Sequence, residues 1–334
     1  MSIYKATLPK GIFVLSLDVE LCWGVVDKPD KLVANKRYYE QARACIDKIL
    51  MLLEKYNISA TWAIVGHLFL QECNVINGQK HPDIPRSTYP WYSKDWFEQS
   101  PCTCHKEAPL WYGQDIIEKI IACEVRQEIA CHSFAHVLYG DGNTKRPTVQ
   151  SDLSNCVYEA QKFGLKLRSF VFPRNRVGYI DELSKFGFKA YRGVEPSWYG
   201  GFFKILRRAC HILDQFLMIR PPVGLPEYNQ GLYNIPASMF YLPMNGLRRL
   251  VPIAFRVHKA RKGIRRAIKE KKVFHLWFHP FNIATDQEKL LKGLEEIFKE
   301  VQLSRQNGKL ETRSMDEIVD LLGLQNGQAC KENI

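Results

Sequence analysis

Short buried apolar runs alternate with stretches of helical period along almost the whole chain, and this alternation limits the fold more than any other property of the sequence. The runs are Ile12 to Leu17, Ser59 to Val65, Glu128 to Cys131, Arg168 to Phe172, Lys189 to Tyr191, Val273 to Phe278 and the closing KLET at 309–312. Between the first two, Ala42, Ile46, Ile49, Leu53 and Tyr56 share one face of a helix expected over about 38–56. Further helices are expected near 116–123, 149–163 and 286–306, and a last one opens at Ser314 with Glu317 completing a capping box. Strands separated by helices run parallel through crossovers, so the expected class is α/β and the expected architecture a (β/α) barrel. Two stretches interrupt the pattern, 72–112 and 194–250, and both are expected as long loop insertions. The 334 residues are then read as one barrel domain over 1–324 with a frayed polar tail over 325–334.

Charge is concentrated in one place. Lys and Arg total 47 against 35 Asp and Glu, a net +12, but residues 244–272 alone hold eleven Lys/Arg against the single acid Glu270. The rest of the chain is nearly neutral, which argues against a protein that coats nucleic acid. Within that segment Leu250, Ile253, Ala254, Val257, Ala260, Ile264 and Ile268 fall near helical spacing, with Arg249, Arg256, Lys259, Lys262 and Arg266 mostly elsewhere on the wheel. Two readings follow: an outer barrel helix with a solvated basic face, or a surface for anionic lipid or a phosphate-bearing substrate. The apolar and basic stretch 202–217 precedes it. The ten cysteines show no repeated C-x-x-C, so reduced thiols in a cytoplasm are expected, and Cys102-Thr103-Cys104 is too isolated to read as a metal site. Lys5 and Lys10 precede an apolar run that ends at Asp18 without a small-residue cleavage site, so no signal peptide is read there. No stretch reaches 18 apolar residues. The expected location is cytoplasmic, peripheral at the inner face of the membrane if 244–272 meets lipid.

Acids and imidazoles gather where the runs end. The first ends in Asp18-Val19-Glu20, two carboxylates on the same side of an extended chain. The run at 128–131 leads into His132-Ser133-Phe134-Ala135-His136, whose two imidazoles share a face if the segment opens a helical turn, and the late run leads into His279-Pro280. His275, inside that late run, is expected to be a core histidine. Strand ends on one side of a parallel barrel form its catalytic face. Two neutral imidazoles and one carboxylate make an open zinc-type site, which Glu20, His132 and His136 supply. Asp18 is then a free carboxylate able to take a proton from water, and His279 can protonate a leaving group, a set suited to hydrolysing an amide or ester.

These segments resemble the polysaccharide deacetylases, the NodB-homology group of carbohydrate esterase family four. The matching stretches are FVLSLDVE (13–20), LLEKYNISATWAIVG (52–66), QEIACHSFAH (127–136), RSFVFPRN (168–175), FHLWFHP (274–280) and KLETRSMDEIVDLL (309–322). The resemblance implies a deformed barrel of about seven strands and a divalent metal, zinc in most members. It also implies Asp18 as catalytic base, His132 and His136 as metal ligands and His279 as general acid. The chain departs from the family pattern in two places. The common form has adjacent aspartates, whereas here Val19 intervenes and Glu20 takes the metal-ligand role, as in a spaced form found among some relatives. The family's arginine before a proline, which supports the base, is replaced by Phe172-Pro173-Arg174-Asn175. Arg174 is expected to pair with Asp18 or to bind a substrate carboxylate or phosphate, with Asn175 sharing substrate binding.

The activity so implied is removal of an N-acyl group, acetyl or formyl, from a sugar in surface-polysaccharide biosynthesis, the sugar being free or linked to a nucleotide or polyprenyl phosphate. Rival readings are an amidase acting on a non-carbohydrate C–N bond and a catalytically impaired relative that binds glycan or lipid carrier. Trp91, Trp96, Trp111, Tyr112, Trp198 and Tyr199 fall in or beside the insertions, where they either stack on sugar or pin the loops.

Overall fold

The computed structural model describes residues 7–73 and 75–331, so Lys5 and positions 332–334 of the polar tail lie outside the described residues. Among the described residues the strands are β1 (Gly11–Val19), β2 (Thr61–Ile64), β3 (Val75–Ile76), β4 (Gln79–Lys80), β5 (Glu128–Cys131), β6 (Ser169–Val171), β7 (Ala190–Gly193), β8 (Glu227–Asn229), β9 (Leu232–Pro236), β10 (Met239–Phe240), β11 (Val273–Phe278) and β12 (Leu310–Thr312). The α-helices are α1 (Pro29–Glu40), α2 (Ala42–Tyr56), α3 (Gln114–Ile121), α4 (Arg146–Lys162), α5 (Ile180–Lys185), α6 (Lys204–Phe216), α7 (Ile253–Glu270), α8 (Pro280–Ile283), α9 (Gln287–Gln306) and α10 (Met315–Lys331).

The main sheet runs β10-β11-β1-β2-β5-β6-β7-β9-β8, parallel throughout except for β8 against β9, and β12 adds to the start of β1. One continuous stretch, 232–240, pairs first with β7 as β9 and then with β11 as β10. Between the two, Ala237 N–H donates to the Gly193 carbonyl and Ser238 N–H to the His275 carbonyl. That broken strand draws the two margins of the sheet together into a deformed seven-position parallel barrel. The segment 194–250 is therefore more than a loop insertion: it contains α6, β8, β9 and β10. Prolines and a two-residue β10 hid these strands from pattern reading. The helix expected over 38–56 is two helices, α1 and α2, parted at Gln41. The tail expected to fray from 325 continues as α10 to Lys331.

Side chains alternate across each strand, so every second residue enters the barrel. Ile12 and Val14 of β1 join Ala63, Ala130, Val171, Ala190, Ile235 and Val273 in one buried cluster, closed below by Met315, Ile318 and Leu322 of α10. Phe13, Leu15 and Leu17 point the other way, into the core shared with the outer helices. Above the apolar layer the same inward row becomes polar, with Ser16, Arg192 and His275 all buried. The His275 Nε2 lies 2.8 Å from Ser16 Oγ, and burial pushes its pKa down to about 3. His275 is thus the core histidine expected.

The basic helix α7 is mostly engaged within the fold. Arg256 and Lys259 are buried, although the wheel had set them apart from the apolar face. Arg256 donates to the Arg248 carbonyl at 2.6 Å, and Lys259 pairs with Asp214 of α6. Arg261 and Arg265 pair with Glu296 and Glu300 of α9, and Arg266 with Glu270. Among the described residues, no helix is long and apolar enough to cross a membrane.

Candidate active site

The next inward positions after the polar layer are the site. Glu20 follows β1, His132 follows β5 and His279 follows β11, which puts them at the C-terminal ends of their strands. Three imidazole Nε2 atoms converge on Glu20 Oε1: His132 at 3.0 Å, His136 at 3.1 Å and His279 at 3.3 Å. His132 Nδ1 lies 2.7 Å from the Val171 carbonyl oxygen. A carbonyl only accepts, so the proton sits on Nδ1 and the Nε2 lone pair faces the carboxylate. Two lone pairs at that distance repel unless a cation or a proton lies between them. Glu20, His132 and His136 are all buried, with ligand atoms within 4.8 Å of one another, and Asp18, Glu20 and His279 form an overlapping group. Gly24 makes room for this arrangement, since a Cβ there would meet Glu20 Oε2.

Asp18 is held from across the barrel. Arg192 of β7 donates Nη1 to Oδ1 at 2.6 Å and Nη2 to Oδ2 at 2.7 Å. It also donates to Ser16 Oγ at 3.0 Å and to Asn175 Oδ1 at 3.2 Å, and its guanidinium lies 4.3 Å from the centre of the Trp277 ring. Burial pushes the Asp18 carboxyl up, but the charge and hydrogen bonds of Arg192 outweigh it and hold the group below its usual range. His279 shows the opposite balance: burial disfavours its charge, but the Glu20 carboxylate and then Asp18 raise it. An ionised carboxylate and an imidazole biased toward its protonated form thus stand 3.8 Å apart.

The segment His132–His136 does not open a helical turn. Ser133 and His136 hold left-handed backbone, with φ of 65° and 58°, and the loop is wrapped around one carboxylate instead. Asp152 of α4 accepts from Ser133 Oγ at 3.0 Å, from Phe134 N–H at 2.9 Å and from Tyr139 Oη at 2.7 Å. Those bonds compete with helical ones and turn His136 back toward His132. Burial raises Asp152 to about 6 despite these bonds. The 72–112 insertion adds a clamp, in which Trp96 Nε1 donates to the Ala135 carbonyl at 2.7 Å.

Asp18, Glu20, His132, His136 and His279 therefore come together as read from the sequence. Arg174 does not reach Asp18 as expected. It sits in left-handed backbone with φ of 53° and pairs with Asp27, while Arg192, unmarked in the sequence, holds Asp18. Asn175 accepts from Arg192 and so backs the arginine that holds Asp18. A lone arginine just after a three-residue run carries no signal until the barrel closes, and the same is true of Asp152. Of the aromatics in the insertions, Trp96, Trp111, Tyr112 and Tyr199 are buried, and Trp91 and Trp198 are exposed.

The donor set fits a divalent cation of zinc type: two imidazoles and a carboxylate converge, and the hydrogen bond of His132 Nδ1 fixes the tautomer that turns its Nε2 lone pair toward the group. No family model matches the sequence, and no curated protein matches it. Solved structures do. A Mycobacterium smegmatis protein described as a polysaccharide deacetylase is 14% identical, covers 97% of this chain and 96% of its own, and superimposes with a TM-score of 0.62. A Pseudomonas aeruginosa PAO1 protein, also described as a polysaccharide deacetylase, is 10% identical over 92% of this chain and 89% of its own, with a TM-score of 0.55. The fold of this chain is that of the polysaccharide deacetylases.

Proposed function

We propose that the chain is a metal-dependent hydrolase that removes an N-acetyl or N-formyl group from a sugar in surface-polysaccharide assembly. The observation that carries this reading is the convergence of three imidazole nitrogens on Glu20 Oε1, beside an arginine-held Asp18, at the C-terminal mouth of a parallel barrel. A divalent cation, zinc by the donor set, held by Glu20, His132 and His136 would polarise an acyl carbonyl and make water more acidic. Asp18, ionised and fixed in orientation by Arg192, accepts the proton of the attacking water. His279 delivers a proton to the departing sugar nitrogen, so that acetate or formate and a free aminosugar leave. Arg174, paired with Asp27, stands ready to meet a polar group of the substrate, while Asn175 acts through Arg192.

The substrate class we infer is a sugar on a polyprenyl phosphate. A groove of ≈ 1140 Å³ lined by Ile212, Leu213, Phe216, Leu247 and Arg248 reaches Phe240 and Trp277. Those two rings lie 6.0 and 5.9 Å from the His279 ring. Apolar walls suit a lipid chain, and Arg248 suits a phosphate. Around the groove Trp198, Phe203, Leu213, Leu217, Leu247 and Leu250 are exposed, a surface fitted to an anionic membrane. This moves the membrane contact proposed for 244–272 to its first residues together with α6.

Metal analysis tests the core of the proposal: purified chain should bind a divalent ion and lose it in His132→Ala. Asp18→Asn should keep the ion and lose acyl release. Retained turnover in Asp18→Asn would refute the base, and an ion-free active chain would refute the metal. Comparison of polyprenyl-phosphate, nucleotide and free sugars as substrates, with sedimentation on anionic and neutral vesicles, tests the carrier. Equal turnover on all three would sink the lipid reading.

A further inference from the structure

A second group of metal-type donors stands where the 72–112 insertion meets the barrel. His67 lies in the single turn Gly66–Phe69 after β2, while Cys73 and His81 belong to the insertion, and their donor atoms lie within 4.8 Å of one another. His67 is fully buried. Its Nδ1 is 3.3 Å from the Trp111 carbonyl oxygen, which keeps the proton on Nδ1 and leaves the Nε2 lone pair pointing outward. That lone pair faces His81 Nε2 at 3.1 Å, near the roughly 3.3 Å that separates two nitrogens on a tetrahedral zinc with bonds of about 2.0–2.1 Å. The Cys102 thiol stands beside the group, its Sγ 2.7 Å from that of Cys73 and closer than the roughly 3.8 Å between two sulfurs on one tetrahedral zinc, so it is not counted among the donors. Both His81 and Cys102 hold left-handed backbone, φ 49° and 51°, a strained conformation that the surrounding structure must impose.

We propose that His67, Cys73 and His81 form a zinc-class site that fastens the insertion to the barrel. Its thiol separates this centre from the sulfur-free group at Glu20. The location gives the site a consequence. The His67 ring lies 4.4 Å from that of Trp23 and 5.7 Å from that of Phe134. Trp23 is three residues beyond Glu20, and Phe134 lies between His132 and His136. The second centre therefore braces both loops that carry the first.

Cobalt reconstitution of the full chain distinguishes the two centres, because Glu20, His132 and His136 contain no sulfur. The chain should show a near-ultraviolet thiolate-to-cobalt charge-transfer band that disappears in Cys73→Ser and survives in His132→Ala. Zinc content should be about two per chain, falling to about one in either variant. A chain without the sulfur band, or one in which peptide mapping under non-reducing conditions finds Cys73 and Cys102 joined as a disulfide, overturns the proposal. If Cys73→Ser fails to fold, the spectrum and metal content of the unsubstituted chain still decide. Neither readout depends on hydrolase activity, so this site and the proposed function can fail separately.

Discussion

Arg192→Gln keeps most of the side-chain volume but removes the charge that faces Asp18. Both groups are almost fully buried, 1% and 2% exposed, and joined by two charge-assisted hydrogen bonds of 2.6 and 2.7 Å. Hydrogen bonds of this kind contribute about 1.5–3 kcal/mol each. Losing both disfavours the carboxylate by about 3–6 kcal/mol, and at about 1.36 kcal/mol per pH unit this corresponds to ~2–4 units. The sign follows from which form Arg192 stabilises. It favours ionised Asp18, so its removal raises the pKa, and the base becomes competent only at higher pH. The acid limb of kcat/KM should move alkaline by ~2–4 pH units, with activity recovering toward the alkaline plateau. Metal content should be unchanged, because Arg192 makes no contact with Glu20, His132 or His136 among its hydrogen bonds. Arg174→Gln is the control: its partner is Asp27, and the acid limb should stay in place. An unmoved limb in Arg192→Gln, or the same displacement in both variants, would show that Arg192 does not set the state of the base.

Gly24→Ala puts a Cβ against Glu20 Oε2; the carboxylate swings aside at little cost to folding, and metal affinity should fall by about 10–100-fold, read by competition with a chelator. Glu128 is buried, and burial together with the Asp316 charge raises its pKa to about 7. The folded state therefore holds this proton more tightly than the unfolded chain, and stability should fall by up to ~3 kcal/mol as pH rises from about 4.5 to 7. Denaturant melts at pH 5 and pH 8 measure it, and Glu128→Gln should flatten the difference; an unchanged difference refutes the assignment. Gly263 of α7 faces the Phe274 ring with no space for a Cβ, and Gly263→Ala should destabilise the chain by about 1–3 kcal/mol without altering metal content.

Much of the site was legible because catalytic side chains at strand ends are adjacent in sequence to strongly patterned runs. The alternation in FVLSLDVE announces a buried strand, and its last two inward positions are Asp18 and Glu20. His132 and His279 follow β5 and β11 for the same reason. What stayed hidden were partners brought in from elements with weak local signals. Arg192 lies in a four-residue strand, Asp152 in the middle of a helix, and Cys73, His81 and Cys102 in a segment without period.

The sequence alone determined the α/β class, the parallel order of strands and helices, and which ends of the strands carry acids and imidazoles, because period and local propensity are properties of neighbouring residues. Only the tertiary structure decided which arginine meets Asp18, how 232–240 joins β7 to β11, and why most of the cations of α7 face acids and carbonyls instead of solvent. These are contacts between residues up to 174 positions apart, as Arg192 and Asp18 are. Their existence depends on barrel closure, and the short pattern that records a strand or a helix contains no term for it.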